Sequence, residues 1–100
     1  MPTLYCYLER GFSGEEVVLR LGERIVFRGT ATTDLMMGFA AELIEPLPAQ
    51  ADEVLIVGLP AMGLTDQATL PGGDRDLWVR IRLEGGRLVV MVDTEPLGFL

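Results

Sequence analysis

An all-β fold, a single antiparallel β-sandwich of seven or eight strands over residues 1–100, is what the sequence predicts. Three observations carry that expectation. Between Leu77 and Asp93 apolar and polar residues alternate with a period of two on both sides of Gly85-Gly86, the pattern of a hairpin closed by a tight turn. Glu53 to Leu59, EVLIVGL, is a nearly continuous apolar run rich in β-branched residues, as a strand in the middle of a sheet requires. Further short runs recur about every ten residues, separated by turns rich in glycine and proline.

Along the chain, Thr3 to Glu9 places Leu4, Cys6 and Leu8 on one face and Thr3, Tyr5, Tyr7 and Glu9 on the other. Gly11 to Gly14 interrupts this strand. Glu16 to Leu21 and Arg24 to Thr30 form a hairpin around Gly22-Glu23. In it Val17, Leu19 and Leu21 share a side, and Ile25 and Phe27 share a face against Val26 and Arg28. Residues 34–45 admit two readings. One is a short helix capped by Asp34 and stopped by Pro46, with Leu35, Met36, Phe39, Ala40, Leu43 and Ile44 three or four apart. The other, favoured by Gly38 and the β neighbourhood, is a strand from about Phe39 to Glu45.

Pro46 and Pro48 begin a connection to EVLIVGL, which is expected to be buried on both faces. Leu64 to Leu70, with Thr65, Gln67 and Thr69 on one side, reads as an edge strand. A loop from Pro71 to Asp76 then leads to the last hairpin. With positive φ at both glycines, opposed residues there have numbers summing to 171, so Leu83 meets Leu88, Ile81 meets Val90 and Val79 meets Val92. The other face pairs Arg82 with Val89, Arg80 with Met91 and Trp78 with Asp93. The expected core joins Val79, Ile81, Leu88 and Val90 to Val17, Leu19, Ile25, Phe27 and Ile56. After Asp93, Pro96 and Gly98 preclude a long regular element.

Composition excludes more than any motif adds. The net charge is −7 and all eight basic residues are arginines, with no lysine, histidine or asparagine in the chain. An acidic chain repels nucleic acid and anionic membranes, so neither is an expected partner. Without lysine there is no Schiff base or phosphate-loop lysine, and without histidine the commonest general base and metal ligand are missing. The arginine-only usage fits a GC-rich bacterial genome. Cys6, the one cysteine, cannot form an intramolecular disulfide, and no stretch approaches the ~20 apolar residues that span a bilayer, so a reducing cytoplasm is the expected compartment. Almost half the residues are hydrophobic, high for a chain of 100, which points to apolar surface covered by self-association.

Two surfaces stand out as candidates for association. Trp78, Arg80, Arg82, Val89 and Met91 share the polar side of the last hairpin, an aromatic, cationic and apolar mixture of the kind enriched at interfaces. Tyr5 and Tyr7 form the second, where two rings on one strand face could also stack a sugar. Cover by another part of the monomer explains either set equally simply. Asp74 and Asp76 in the Gly72 to Asp76 loop could join Asp34 or Asp66 around calcium, but aspartates accepting turn hydrogen bonds explain the same residues, and no metal or cofactor is expected. Glu15-Glu16 and Glu42 with Glu45 are carboxylate pairs without a cleft to define them, and Gly11 to Glu15 lacks the spacing of a nucleophile elbow. Cys6, alternating with Leu4 and Leu8, belongs to the core.

In general architecture the chain resembles small immunoglobulin-like or transthyretin-like sandwiches, a likeness that rests on strand pattern alone and transfers no function. The expectation is a non-catalytic domain acting by association, as a homodimer or with a protein partner. A small sugar- or calcium-binding module is the alternative, and a hydrolase using only aspartate and glutamate stands behind both.

Overall fold

A computed structural model describes residues 2–33, 40–47 and 52–94. Alternating sequence becomes alternating burial in eight strands: β1 (Thr3–Leu8), β2 (Ser13–Leu21), β3 (Arg24–Thr32), β4 (Ala41–Pro46), β5 (Glu53–Leu59), β6 (Leu64–Leu70), β7 (Leu77–Glu84) and β8 (Arg87–Asp93). They form two four-stranded sheets, ordered β4-β1-β7-β8 and β3-β2-β5-β6, called here sheet A and sheet B. The layers also approach each other at their rims, β6 against β8 and β3 against β4.

The last hairpin has the expected register throughout, from Trp78 opposite Asp93 to Glu84 opposite Arg87. Gly85 and Gly86 adopt φ of 57° and 76°, the paired positive values of a primed turn whose twist matches the strands. β6 is an edge strand and β5 lies inside its sheet, as read from the sequence. Between the sheets Leu4, Cys6, Leu8, Val17, Leu19, Leu55, Val57, Leu59, Leu77, Val79 and Ile81 are buried. Leu88 and Val90 pack partly against them, and Val92 at the strand end stays exposed.

Several expectations are corrected. The sandwich is not wholly antiparallel, because β1 and β7 run parallel, Leu4 opposite Leu77 through Leu8 opposite Ile81. A parallel pair needs a long crossover, and the chain supplies one by building β2 and β3 in the other layer, β4 on the far side of β1, and then β5 and β6 in the other layer before β7. Ile25 is not a core residue. Leu19 pairs with Phe27 but Arg20 with Ile25, so Val26 is the extra residue of a β-bulge. The bulge resets the alternation, leaving Val26 and Phe27 against the core and Ile25 52 % exposed beside Arg20. Ile56 likewise faces outward between Arg20 and Gln67, since a central strand of a two-layer sandwich has only one face inside. From Ala41 the 34–45 segment is strand, its residues antiparallel to β1, while 34–39 lie outside the described residues, as do the prolyl connection at 48–51 and the tail at 95–100.

Candidate functional site

The parallel pairing of β1 with β7 is what assembles the site. Because Tyr5 lies opposite Trp78 and Tyr7 opposite Arg80, the two candidate surfaces become one continuous outer face of sheet A. β4 adds Ile44 beside Tyr5 and Glu42 beside Tyr7, and β8 adds Asp93 beside Trp78, Met91 beside Arg80 and Val89 beside Arg82. Rows of side chains thus run across all four strands: Ile44, Tyr5, Trp78 and Asp93, then Glu42, Tyr7, Arg80 and Met91. All seven residues singled out from the sequence lie on it, each half-buried.

Tyr5 and Trp78 stack with ring centroids 5.3 Å apart and planes 8° from parallel. Each ring therefore gives one of its faces to the other, and only the second face of either ring is left for a further stacking partner. Ile44, 55 % exposed, extends the apolar row toward the β4 edge.

Below the aromatic row lies a group the sequence did not disclose. Glu9 is 5 % exposed and follows the end of β1, its N–H donating to the Ile81 carbonyl at 2.7 Å. Its carboxylate accepts Arg80 Nε at 3.0 and 3.1 Å and Arg82 Nε at 2.8 Å. Arg82 Nη1 lies 3.7 Å from Glu84, which also accepts Arg10 Nε at 3.0 Å and Nη2 at 2.6 Å. A buried carboxylate is tolerable because both its oxygens are occupied by cations, and it fixes where those cations point. The hydrogen bond to Glu9 holds Arg82 above the usual arginine range, and the hydrogen bond from Arg10 holds Glu84 below the usual carboxylate range. Glu9 shares the phase of Tyr5 and Tyr7, which the sequence does show. The parallel register that sets it beside Arg82 is the part it does not.

The segment after Glu9 is pinned from both sides. Leu83 N–H donates to the Arg10 carbonyl at 2.9 Å, Thr33 Oγ1 donates to the Glu9 carbonyl at 3.0 Å, and Phe12 N–H donates to Thr33 Oγ1 at 3.1 Å. Tyr7 ionises only near about 12, because it is partly desolvated and its hydroxyl is hydrogen-bonded to Glu42.

In the loop considered for calcium, Asp76 is hydrogen-bonded to the start of β1, and the backbone of Gly72 to an aspartate that precedes β5. Asp76 Oδ1 accepts the Thr3 N–H at 2.8 Å, and Asp52 Oδ1 accepts the Gly72 N–H at 2.8 Å. Among the described residues no three histidine, cysteine or carboxylate side chains gather as metal ligands, and no helix is long and apolar enough to cross a membrane.

Cys6 is 1 % exposed, and burial pushes its thiol up to about 12 from an ordinary 9.0. The folded thiol holds its proton more tightly than the unfolded one, so its contribution is fully present below pH 9.0 and is lost as pH rises toward about 12. Between those limits the loss is roughly 1.4 kcal/mol per pH unit. Urea unfolding at alkaline pH checks this: wild type should lose stability more steeply than Cys6→Ala, and equal slopes would remove Cys6 as the cause.

Compared with protein-family models, curated proteins and solved structures, the chain finds no match in any of the three.

Proposed function

We propose that this chain is a non-catalytic domain that works by self-association through the outer face of sheet A. One observation carries the reading: Tyr5 stacked on Trp78 fuses two aromatic patches into a single face, flanked by Tyr7, Arg80, Val89 and Met91. Tyrosine, tryptophan, methionine and arginine are the residues enriched where protein surfaces meet. The rival outer face, on sheet B, has Val18, Ile25, Val54 and Ile56, but no aromatic among its pairing partners and a row of Thr65, Gln67 and Thr69 along β6. Aliphatic side chains ringed by threonines are ordinary surface.

A catalytic role finds little support in the same residues. Glu9 and Glu84 are engaged by arginines, Glu42 by Tyr7, and the thiol of Cys6 is buried and protonated. A lone buried thiol also suits a reducing cytoplasm.

A two-fold dimer is the arrangement that brings the same patch from each copy together. The face spans four strands and about three rows, roughly 20 Å by 20 Å at ~4.8 Å between strands and ~3.3 Å per residue. Roughly 400 Å² a side is below the standard size of a specific interface and in the range of weak, transient contacts, so a weak, reversible dimer is expected at tens of micromolar. Sedimentation equilibrium on wild type and Met91→Arg tests it. Wild type should associate, and the arginine, placed on the β8 side of the contact next to Arg80, should return it to monomer. A monomeric wild type, or a variant that associates as well as wild type, overturns the reading.

A further inference from the structure

We infer that β8 is a pairing edge and that a second copy of the chain pairs with it, β8 against β8, antiparallel about Val90. The inference goes beyond the face contact and stands on different observations. Four strands lie at sheet edges, β4 and β8 in sheet A and β3 and β6 in sheet B. A free edge is a row of backbone donors and acceptors, and sequences guard it with bulges, charges, prolines or short length. β3 has the bulge at Val26 and the arginines Arg24 and Arg28. β4 is six residues long, with Glu42, Glu45 and a closing Pro46, and β6 carries Thr65, Asp66, Gln67 and Thr69. β8 has no such guard: Leu88 to Val92 are apolar without interruption, none of them is buried, and their register with β7 is unbroken. Its rim is open as well. Along β7 the inner residues Leu77, Val79, Ile81 and Leu83 are buried, whereas Leu88 and Val90 are half-buried and Val92 is exposed, although β6 approaches β8 there.

Register decides which backbone groups face outward. The Ile81 carbonyl accepts the Glu9 N–H and the Leu83 N–H donates to the Arg10 carbonyl, so both residues of β7 turn their backbone groups toward the β1 side. Their opposites on β8, Val90 and Leu88, therefore form the non-hydrogen-bonded pairs of the hairpin, and these two and Val92 point N–H and C=O away from β7. Among the described residues β8 pairs with β7 alone.

A second β8 fits this row because the row is its own complement. With a two-fold axis at Val90, Val90 meets Val90 and Leu88 meets Val92, so each outward N–H of one strand finds an outward C=O of the other along the whole overlap. β8 has one residue of each charge, at opposite ends, so antiparallel pairing opposes unlike signs in a chain whose net charge of −7 resists most self-contacts. The axis stands normal to the sheet. The outer faces of both copies then lie on one side, with Met91 of one beside Val89 of the other, and two faces that are each below standard interface size become one of twice the width.

Amide hydrogen exchange of the wild-type chain, followed residue by residue by NMR, tests the pairing without any variant. The N–H groups of Leu88, Val90 and Val92 should exchange roughly fivefold or more slowly at ~1 mM protein than at ~10 µM, because a weak pairing fills over that range and ties them into a ladder. A contact through the outer face leaves these edge groups open. Val90→Pro removes the central donor but no bond to β7, and should weaken self-association roughly tenfold or more in sedimentation equilibrium. Met91 lies in both contacts, so Ile44→Arg, on the outer face three strands from the β8 edge, separates them and should keep the concentration-dependent protection. Exchange at the three groups that ignores concentration, or Val90→Pro associating like wild type, overturns the pairing. If Ile44→Arg is monomeric while wild-type exchange ignores concentration, the face reading stands and the edge falls. If Ile44→Arg associates like wild type and Val90→Pro does not, the edge stands and the face reading falls.

Discussion

Ile81→Ala is expected to lower the unfolding free energy by ~2–5 kcal/mol, the range for truncating a large aliphatic side chain in a close-packed core. Ile81 is fully buried in β7, opposite Leu8 of β1 and Val90 of β8, so three neighbouring strands share the void that its loss would leave. In a domain of this size that corresponds to a drop of roughly 10–30 °C in the melting midpoint. Ile25→Ala is the informative contrast. It removes a similar amount of side chain, but Ile25 is 52 % exposed on the outer face of sheet B, so its cost should stay below ~1 kcal/mol. Urea unfolding of both variants measures the two faces directly. A cost below ~1 kcal/mol for Ile81 would mean that the hairpin's inner and outer faces had been exchanged.

That contrast also marks what could be read in the sequence. The last hairpin was legible down to its residue pairs because a two-residue turn and strict alternation fix register locally. The same logic applied to β3 put Ile25 in the core, and it failed because one inserted residue at Val26 shifts the phase without leaving any mark in the apolar pattern. β4 was half legible, since its apolar spacing fits a helix as well as a strand, and its pairing with β1 is what decides the matter. The candidate site was legible as parts. The sequence marks Tyr5, Tyr7, Trp78, Arg80, Arg82, Val89 and Met91, but as two surfaces. Their union depends on a parallel contact between residues more than seventy positions apart, which no local pattern encodes. Glu9 was hidden for the same reason.

Gly11→Ala is expected to cost ~3 kcal/mol or more and to weaken both the fold and the proposed association through the outer face of sheet A. In the sequence Gly11 is only a strand breaker. In the structure it is the point where the chain leaving β1 passes directly over β7. A Cβ there would sit 1.8 Å from the Leu83 carbonyl oxygen, far inside contact distance, and the φ of 93° is itself strained for any residue with a side chain. Strain at φ alone is separable, because Gly63 also has positive φ, 65°, yet nothing lies within 4 Å of its added Cβ. Gly63→Ala should therefore cost about 1–2 kcal/mol, and the excess at Gly11 measures the close approach. Relief at Gly11 requires the segment to move off β7. That would loosen the hydrogen bond from Leu83 N–H to the Arg10 carbonyl and the one from Glu9 N–H to the Ile81 carbonyl. Glu9 would then no longer be held between Arg80 and Arg82, and the guanidinium of Arg80 would lose its fixed position on the face. Thermal melts of Gly11→Ala and Gly63→Ala, followed by sedimentation of each at a temperature where both are folded, should show a larger stability loss and weaker association only for Gly11→Ala. Equal melting losses would show that the contact with Leu83 relaxes without cost, and undiminished association would show that Glu9 holds Arg80 in place without help from the segment that follows it.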